Sequence, residues 1–312
     1  MFYNLTNIIY LYLRPFIKWF LHRFTRLSEL QRICYGHPEG APRTKGVEMS
    51  LTLSRTPSII LMTKHLNNVV QNHVSERTFK ERVVQSAMEN VVTCKKIDKK
   101  IHPDFGPLFR CCVEQIWGYK RLFYIVESIR TTQYDSENLS HEKKLLELWN
   151  QLMPTVPLEQ RVTKQWQHIG FQGDDPKTDF RGMGMLGMEN LLYFCKQYNG
   201  AARHVLSHSH HPIHGYTFAI VGINLTSMAY NLLKSGTART HFYNLRRKCP
   251  NIDDFHKLYC YLFYEFDRYW MECKPTSIMD FSYINSKFEK NILIMLSNDN
   301  TWFKINLAVE DV

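Results

Sequence analysis

Residues 166–187 read WQHIGFQGDDPKTDFRGMGMLG, and the stretch sits between two segments of helical periodicity. Upstream, Leu158, Val162, Trp166 and Ile169 fall on one face of a helix begun at Pro157, and Gly170 stands where a left-handed cap belongs. Downstream, Met188, Leu191, Leu192, Cys195 and Tyr198 form the next apolar stripe, closed by Gly200. The stretch itself holds five glycines, three aspartates, two phenylalanines and one arginine, Arg181. A loop so rich in special residues is shaped for a task, because glycine permits positive φ or close backbone approach. Thr178 or Asp179 is placed to cap the following helix, which would present Arg181 at its start.

Gly182, Gly184 and Gly187 also spell GxGxxG. A dinucleotide site needs an apolar strand before that motif and an acid about 20 residues after it. Here the preceding residues are polar, and no Asp or Glu occurs between Asn190 and Ile252. A kinase loop would need an HRD motif, which the chain lacks, and there is no GxxxxGK[ST] loop for GTP.

Working outward, the chain keeps reading as helices. Residues 78–96 and 107–130 are periodic and end in basic residues. Leu145, Leu148, Trp149 and Leu152 form one stripe, with Ser140 as its expected cap. Val221, Leu225, Met228, Leu232 and Leu233 form another before Gly236. Phe255, Leu258, Tyr259, Leu262, Phe266 and Trp270 follow a cap at Asp253 or Asp254, and a last helix covers 276–296. No alternating run demands a sheet, so the class is all-α, an antiparallel helical bundle.

The N-terminus differs from the rest. Residues 1–28 contain no acid and mix aromatic and aliphatic residues with Arg14, Lys18, Arg23 and Arg26. A spanning helix would bury Arg14 and Lys18 at roughly 2.5–3.5 kcal/mol each, and Pro15 breaks the run. An amphipathic helix lying in the headgroup region fits better, with rings at the interface and cations on anionic lipid. The expected organisation is this amphipathic segment (1–34), a Gly-, Pro- and Thr-rich linker (35–56), a helical extension (57–130), the main helical domain (131–300) and a tail (301–312).

Charge and titratable residues narrow the function. The formal net charge is +10, which favours acidic partners. Residues 190–252 hold seven Lys/Arg and no acid, but no reader motif accompanies them, so nucleic acid is not an expected partner. Eight scattered cysteines without a CxxC pair suit a reduced, cytosol-facing protein. His204, His208, His210, His211 and His214 cluster, yet Cys and carboxylate ligands are lacking nearby, so no metal is expected.

The pattern WxxxGFQGxDPxTDFRGxGxLG, followed by an apolar helix, resembles the signature of the ELMO domain. FAIVGINLT at 218–226, HFYN at 241–244, YCYLFYEFDRYW at 259–270, ELQRIC at 29–34 and YDSEN at 134–138 extend the resemblance over most of the chain. The resemblance is nearer to the short ELMO-domain-only branch than to the longer engulfment scaffolds. It implies GTPase activation of Arf-family and Arf-like proteins in their GTP-bound form, with the arginine of TDFRG, Arg181, as the residue supplied in trans. The protein would then be an enzyme activator with no cofactor and no small-molecule substrate of its own. The expected supporting, GTPase-binding loop is Gln172, Gly173, Asp175, Thr178, Asp179, Gly182 and Gly184, with Asp179 orienting the arginine. An ion pair of Arg181 with Asp174, Asp175 or Asp179 is the plain structural alternative. A non-catalytic membrane adaptor for a GTPase or its exchange factor is the functional one. A cytoplasmic, membrane-associated location is expected, with endoplasmic reticulum, mitochondria and lipid droplets all within the family's range.

Overall fold

The computed structural model describes residues 2–72, 77–245 and 249–306, with side chains from residue 12 onward apart from 72–80. The expected contacts of residues 1–11 and the end of the tail, 307–312, lie outside those described. All regular structure among the described residues is helical, so the class is all-α. The chain divides into two compact units, one of residues 1–120 and 243–249, the other of residues 121–242 and 250–312.

The first unit begins with α1 (Phe2–Thr25), α2 (Glu29–Gly36), α3 (Ala41–Thr52), α4 (Pro57–Asn72) and α5 (Arg77–Cys94). It takes the first part of α6 (Phe105–Thr131). Ser28 caps α2 reciprocally with Gln31, satisfying two otherwise unpaired backbone donors. Leu30, Cys34, Val47, Leu51, Ile59, Leu66, Val84, Val91, Phe105 and Phe109 make its buried core.

The segment 35–56, expected as a linker, contains α3. Pro42 lies in its first turn, and Ala41, Thr44, Val47, Ser50 and Leu51 are buried. Its inward face mixes small polar with apolar residues, which hides the helical period. Thr44 hydrogen-bonds Gln115, and Gln115 Nε2 donates to the Tyr243 carbonyl at 2.9 Å, so the polar residues are paired inside.

Helix α1 runs through Pro15 without ending, because a proline costs one backbone donor and need not stop a helix whose neighbouring turns are sound. Two of its cations do not face outward as expected. Arg14 is buried and holds the Glu29 carboxylate with two nitrogens, at 2.9 Å to Oε2 and 3.0 Å to Oε1 from Nη2 and 3.2 Å from Nε. Lys18 reaches the same carboxylate at 2.5 Å. Among the described residues no helix is long and apolar enough to cross a membrane.

The second unit contains α7 (Leu139–Leu152), α8 (Gly184–Gln197), α9 (Asn199–Ser209), α10 (Phe218–Ser235), most of α11 (Arg239–Tyr243), α12 (Ile252–Cys273) and α13 (Phe281–Ser297). Helix α8 packs against α7, α10 and α12. Every residue of the stripes expected on α7, α10 and α12 is buried. Gly222 lets α8, α10 and α12 close up, since a Cβ there would lie 2.6 Å from Leu191 and 2.9 Å from Phe263. Gly170 and Gly236 adopt the expected left-handed caps, both at φ 82°.

Local capping departs from expectation where an earlier residue competes better. Asn138, not Ser140, caps α7 by accepting from Ser140 N. Asn251 caps α12, with Asp254 closing the box from the third helical position. Gly200 lies inside α9, so the stripe of α8 ends one turn earlier without a glycine cap. The last long helix begins at Phe281 because a short 3-10 turn, Ile278–Asp280, precedes it.

Candidate functional site

The loop between α7 and α8 is organised by two short 3-10 turns, Lys164–Ile169 and Pro176–Arg181. The helix expected from Leu158 does not form. The backbone of 156–161 is engaged by side chains instead. Trp149 Nε1 donates to the Val156 carbonyl, Gln165 Nε2 to the Pro157 carbonyl and Trp166 Nε1 to the Arg161 carbonyl, at 2.8, 3.2 and 2.9 Å. Val162, expected on the apolar face, is exposed.

A ladder of rings lies beneath the loop. Trp149, Trp166, Phe171, Phe180 and Tyr134 follow one another with centroids 5.4, 5.9, 5.6 and 5.5 Å apart. Trp166 and Phe180 are fully buried, as packing rather than catalytic residues. On this base Gly170 and Gly184 have no freedom. A Cβ on Gly170 would meet Phe218 N at 2.2 Å, and one on Gly184 (φ 52°) the Arg130 and Thr132 carbonyls at 2.3 and 2.4 Å. Met185 N donates to that Thr132 carbonyl at 2.8 Å, so α8 starts on the last turn of α6 and needs no side-chain cap. The capping expected from Thr178 or Asp179 is therefore absent.

Asp175 caps the second 3-10 turn through Lys177 N at 2.9 Å and also accepts from Arg161 Nη1 at 3.0 Å. Arg161 holds Glu142 of α7 at 2.5 Å, and Glu142 accepts from the Tyr134 hydroxyl at 2.6 Å. Burial, and then the Glu142 contact, push the Tyr134 phenol up, keeping it a donor. Arg161 was not identifiable from sequence. Its partners lie 19 residues before it and 14 after it, a pairing that no local period signals.

The remaining loop residues each have a place. Asp179 accepts from Gln172 N at 3.0 Å, closing the segment 172–179. Burial raises its carboxyl, an effect opposed by that backbone donor and by the charge of Arg181. Thr178 Oγ1 donates to the Asp175 carbonyl at 3.4 Å. Gly182, with φ −78° and ψ −38°, has nothing within 4 Å of a Cβ placed on it, and Gly173 has only Asp175 N, at 3.9 Å. Neither glycine is required by the fold itself.

Arg181 ends the turn and is exposed. Its Nε donates to the Thr178 carbonyl at 2.9 Å. Among the described residues it forms no ion pair, and neither terminal Nη group has a partner. Asp175 is taken by Arg161, Asp174 accepts from Gln167 at 3.4 Å, and Asp179 is taken by Gln172. Asp179, expected to help orient Arg181, makes no hydrogen bond to it: the Thr178 carbonyl holds Nε, while Asp179 fixes the backbone of the same turn and feels the arginine's charge. The result is a guanidinium held at its base, with its planar donor fork outward.

Of the clustered histidines, His208, His210 and His214 have protein partners close by. His208 Nδ1 meets Asp267 at 2.7 Å, and Tyr216 donates to the other oxygen at 2.6 Å. His210 and His214 contact the His168 and Pro275 carbonyls, both at 2.7 Å. Among the described residues no three of His, Cys, Asp or Glu gather as ligands.

The ELMO/CED-12 family model matches residues 125–285. The chain is 46% identical over 293 residues to ELMO domain-containing protein 2 of Bos taurus, covering 93% of this chain and 94% of that protein. It is 42% identical to ELMO domain-containing protein 1 of Mus musculus (90% and 87% covered). It is 32% identical to ELMO domain-containing protein B of Dictyostelium discoideum (88% and 92%). No solved structure matches the chain. The chain belongs to the ELMO/CED-12 family. Its relatives place it in the short, ELMO-domain-containing branch.

Proposed function

We propose that this protein accelerates GTP hydrolysis by an Arf-family or Arf-like GTPase, and that Arg181 enters the partner's active site. The observation that carries this reading is the state of Arg181: exposed, anchored only through Nε, and with both Nη groups directed to no partner among the described residues. GTP hydrolysis spreads negative charge over phosphate oxygens. A planar, permanently charged guanidinium delivers two N–H donors to such oxygens at once. Gly173 and Gly182, unneeded by the fold, leave room for a partner's backbone beside the arginine. The network of Arg161, Glu142, Asp175 and Tyr134 holds that loop still, so ordering it costs little on binding. The protein in this reading is an activator, and hydrolysis belongs to the GTPase.

The reading also places residues 1–28 on a membrane surface, where the GTPase would be met. The test is GTP hydrolysis by a panel of purified Arf and Arf-like proteins, with and without this protein. Acceleration of at least one of them supports the activator. Binding to a GTP-loaded member without acceleration would instead support a membrane adaptor.

A further inference from the structure

One carboxylate at the foot of α1 serves two cations. Arg14 and Lys18 both sit on Glu29, which also accepts from Ser50. One positive charge therefore remains uncompensated in a half-buried place. Burial lowers the Lys18 ammonium, against the contrary pull of Glu29, which marks how costly an uncompensated cation is there.

Beside this cluster opens a cavity of about 350 Å³, whose lining includes Lys18, Trp19, Ser28, Glu29, Lys95 and Lys96. Lys95 donates to the Thr56 hydroxyl at 3.3 Å, and neither it nor Lys96 has a carboxylate partner among the described residues. Among the lining residues, Lys18, Lys95 and Lys96 stand against Glu29, three positive charges to one negative, a net of +2. The cavity is electropositive, with Ser28, Ser50 and Ser54 beside apolar residues in its lining, and its cations suit a phosphate-bearing group.

The outer side of α1 has the opposite character. Phe16, Trp19 and Phe24 are 63%, 64% and 72% exposed, and the rings of Phe16, Phe20 and Phe24 contact one another along the helix. Arg23 and Arg26 lie at its end. An exposed aromatic strip bordered by cations and free of acids matches a headgroup interface better than water.

We propose that this cavity takes the headgroup of an anionic phospholipid, drawn from a bilayer on which the aromatic strip of α1 lies. The proposal rests on the reading that residues 1–28 contact a membrane. Lys18, together with Lys95 and Lys96 from far along the sequence, then belongs to the lipid site, and Arg14 acts by fixing the helix over it.

The experiment is flotation of the full-length protein with vesicles of phosphatidylcholine alone and of phosphatidylcholine mixed with phosphatidylserine. Wild type is expected to prefer the anionic vesicles. K95E/K96E is expected to lose roughly tenfold in binding to them, while K99E/K100E, with the same charge change on exposed lysines outside the cavity, keeps most of it. Circular dichroism of both variants checks the fold. Equal losses in the two variants would mean diffuse attraction and overturn the site. Wild type that floats with neither vesicle would overturn the membrane reading and the site together. Heat of binding with inorganic phosphate alone, undiminished by vesicles, would assign the cavity to a free anion and overturn the lipid source.

Discussion

Arg161 Nη1 lies 3.0 Å from Asp175 Oδ1, and the same carboxylate oxygen caps the turn that ends at Arg181. A second residue on that guanidinium, Glu142, anchors it to α7. The arginine proposed to act is thus supported by another arginine that stays behind.

Replacing Arg161 with alanine would leave Glu142 and Asp175 facing each other without their cation. The expected cost is roughly 1–3 kcal/mol of stability, read as a lower melting temperature, together with a loss of GTPase acceleration. Unchanged melting and unchanged activity would show that the network does not hold the loop.

Gly182→Ala and Gly184→Ala separate docking from folding. At Gly184 the positive φ and the carbonyls at 2.3 and 2.4 Å make alanine destabilising by on the order of 2–4 kcal/mol. At Gly182 the backbone is right-handed and the Cβ position empty, so alanine should leave melting within about 0.5 kcal/mol of wild type. If a partner's backbone packs there, Gly182→Ala should still weaken activation. A parallel loss of stability in both variants would contradict the distinction.

Two buried histidines predict acid sensitivity. Burial lowers His241 to about 3 and His256 to about 4 from an ordinary 6.5. Above pH 6.5 each ring is neutral, folded or unfolded, and stability does not depend on it. Below 6.5 the unfolded chain binds a proton that the folded chain refuses. Stability then falls by up to about 1.4 kcal/mol per pH unit for each histidine. The fall continues to about pH 4 for His256 and about pH 3 for His241. Melting temperatures between pH 7.5 and 5 check this, because the decline should begin before carboxylates titrate. A flat profile over that range would mean that one or both rings accept a proton without loss.

What could be read in the sequence follows from the range of the forces involved. The stripes of α7, α10 and α12 and the caps at Gly170 and Gly236 are local, periodic signals, and the structure keeps them. Helix α3 was hidden because Thr44 and Ser50 are buried by hydrogen-bonding, where a pattern of apolar residues was sought. The missing helix at 158–163 shows the converse. Its apolar spacing was suitable, but the Trp149, Gln165 and Trp166 side chains hold the carbonyls of Val156, Pro157 and Arg161 instead. Arg181 was singled out by the resemblance of its TDFRG element to the ELMO signature, and its role in the partner remains a proposal. The Arg161–Asp175 support beneath it was not legible, since it depends on where three separate segments meet.

The most direct test is the single-turnover rate of GTP hydrolysis by a responsive Arf-family partner, measured with saturating wild-type, Arg181→Lys or Arg181→Ala protein. Circular dichroism and partner binding are measured alongside. The account predicts intact fold and binding, with both variants losing most of an acceleration on the order of 10³–10⁵. An Arg181→Ala protein that accelerates hydrolysis as wild type does would contradict it.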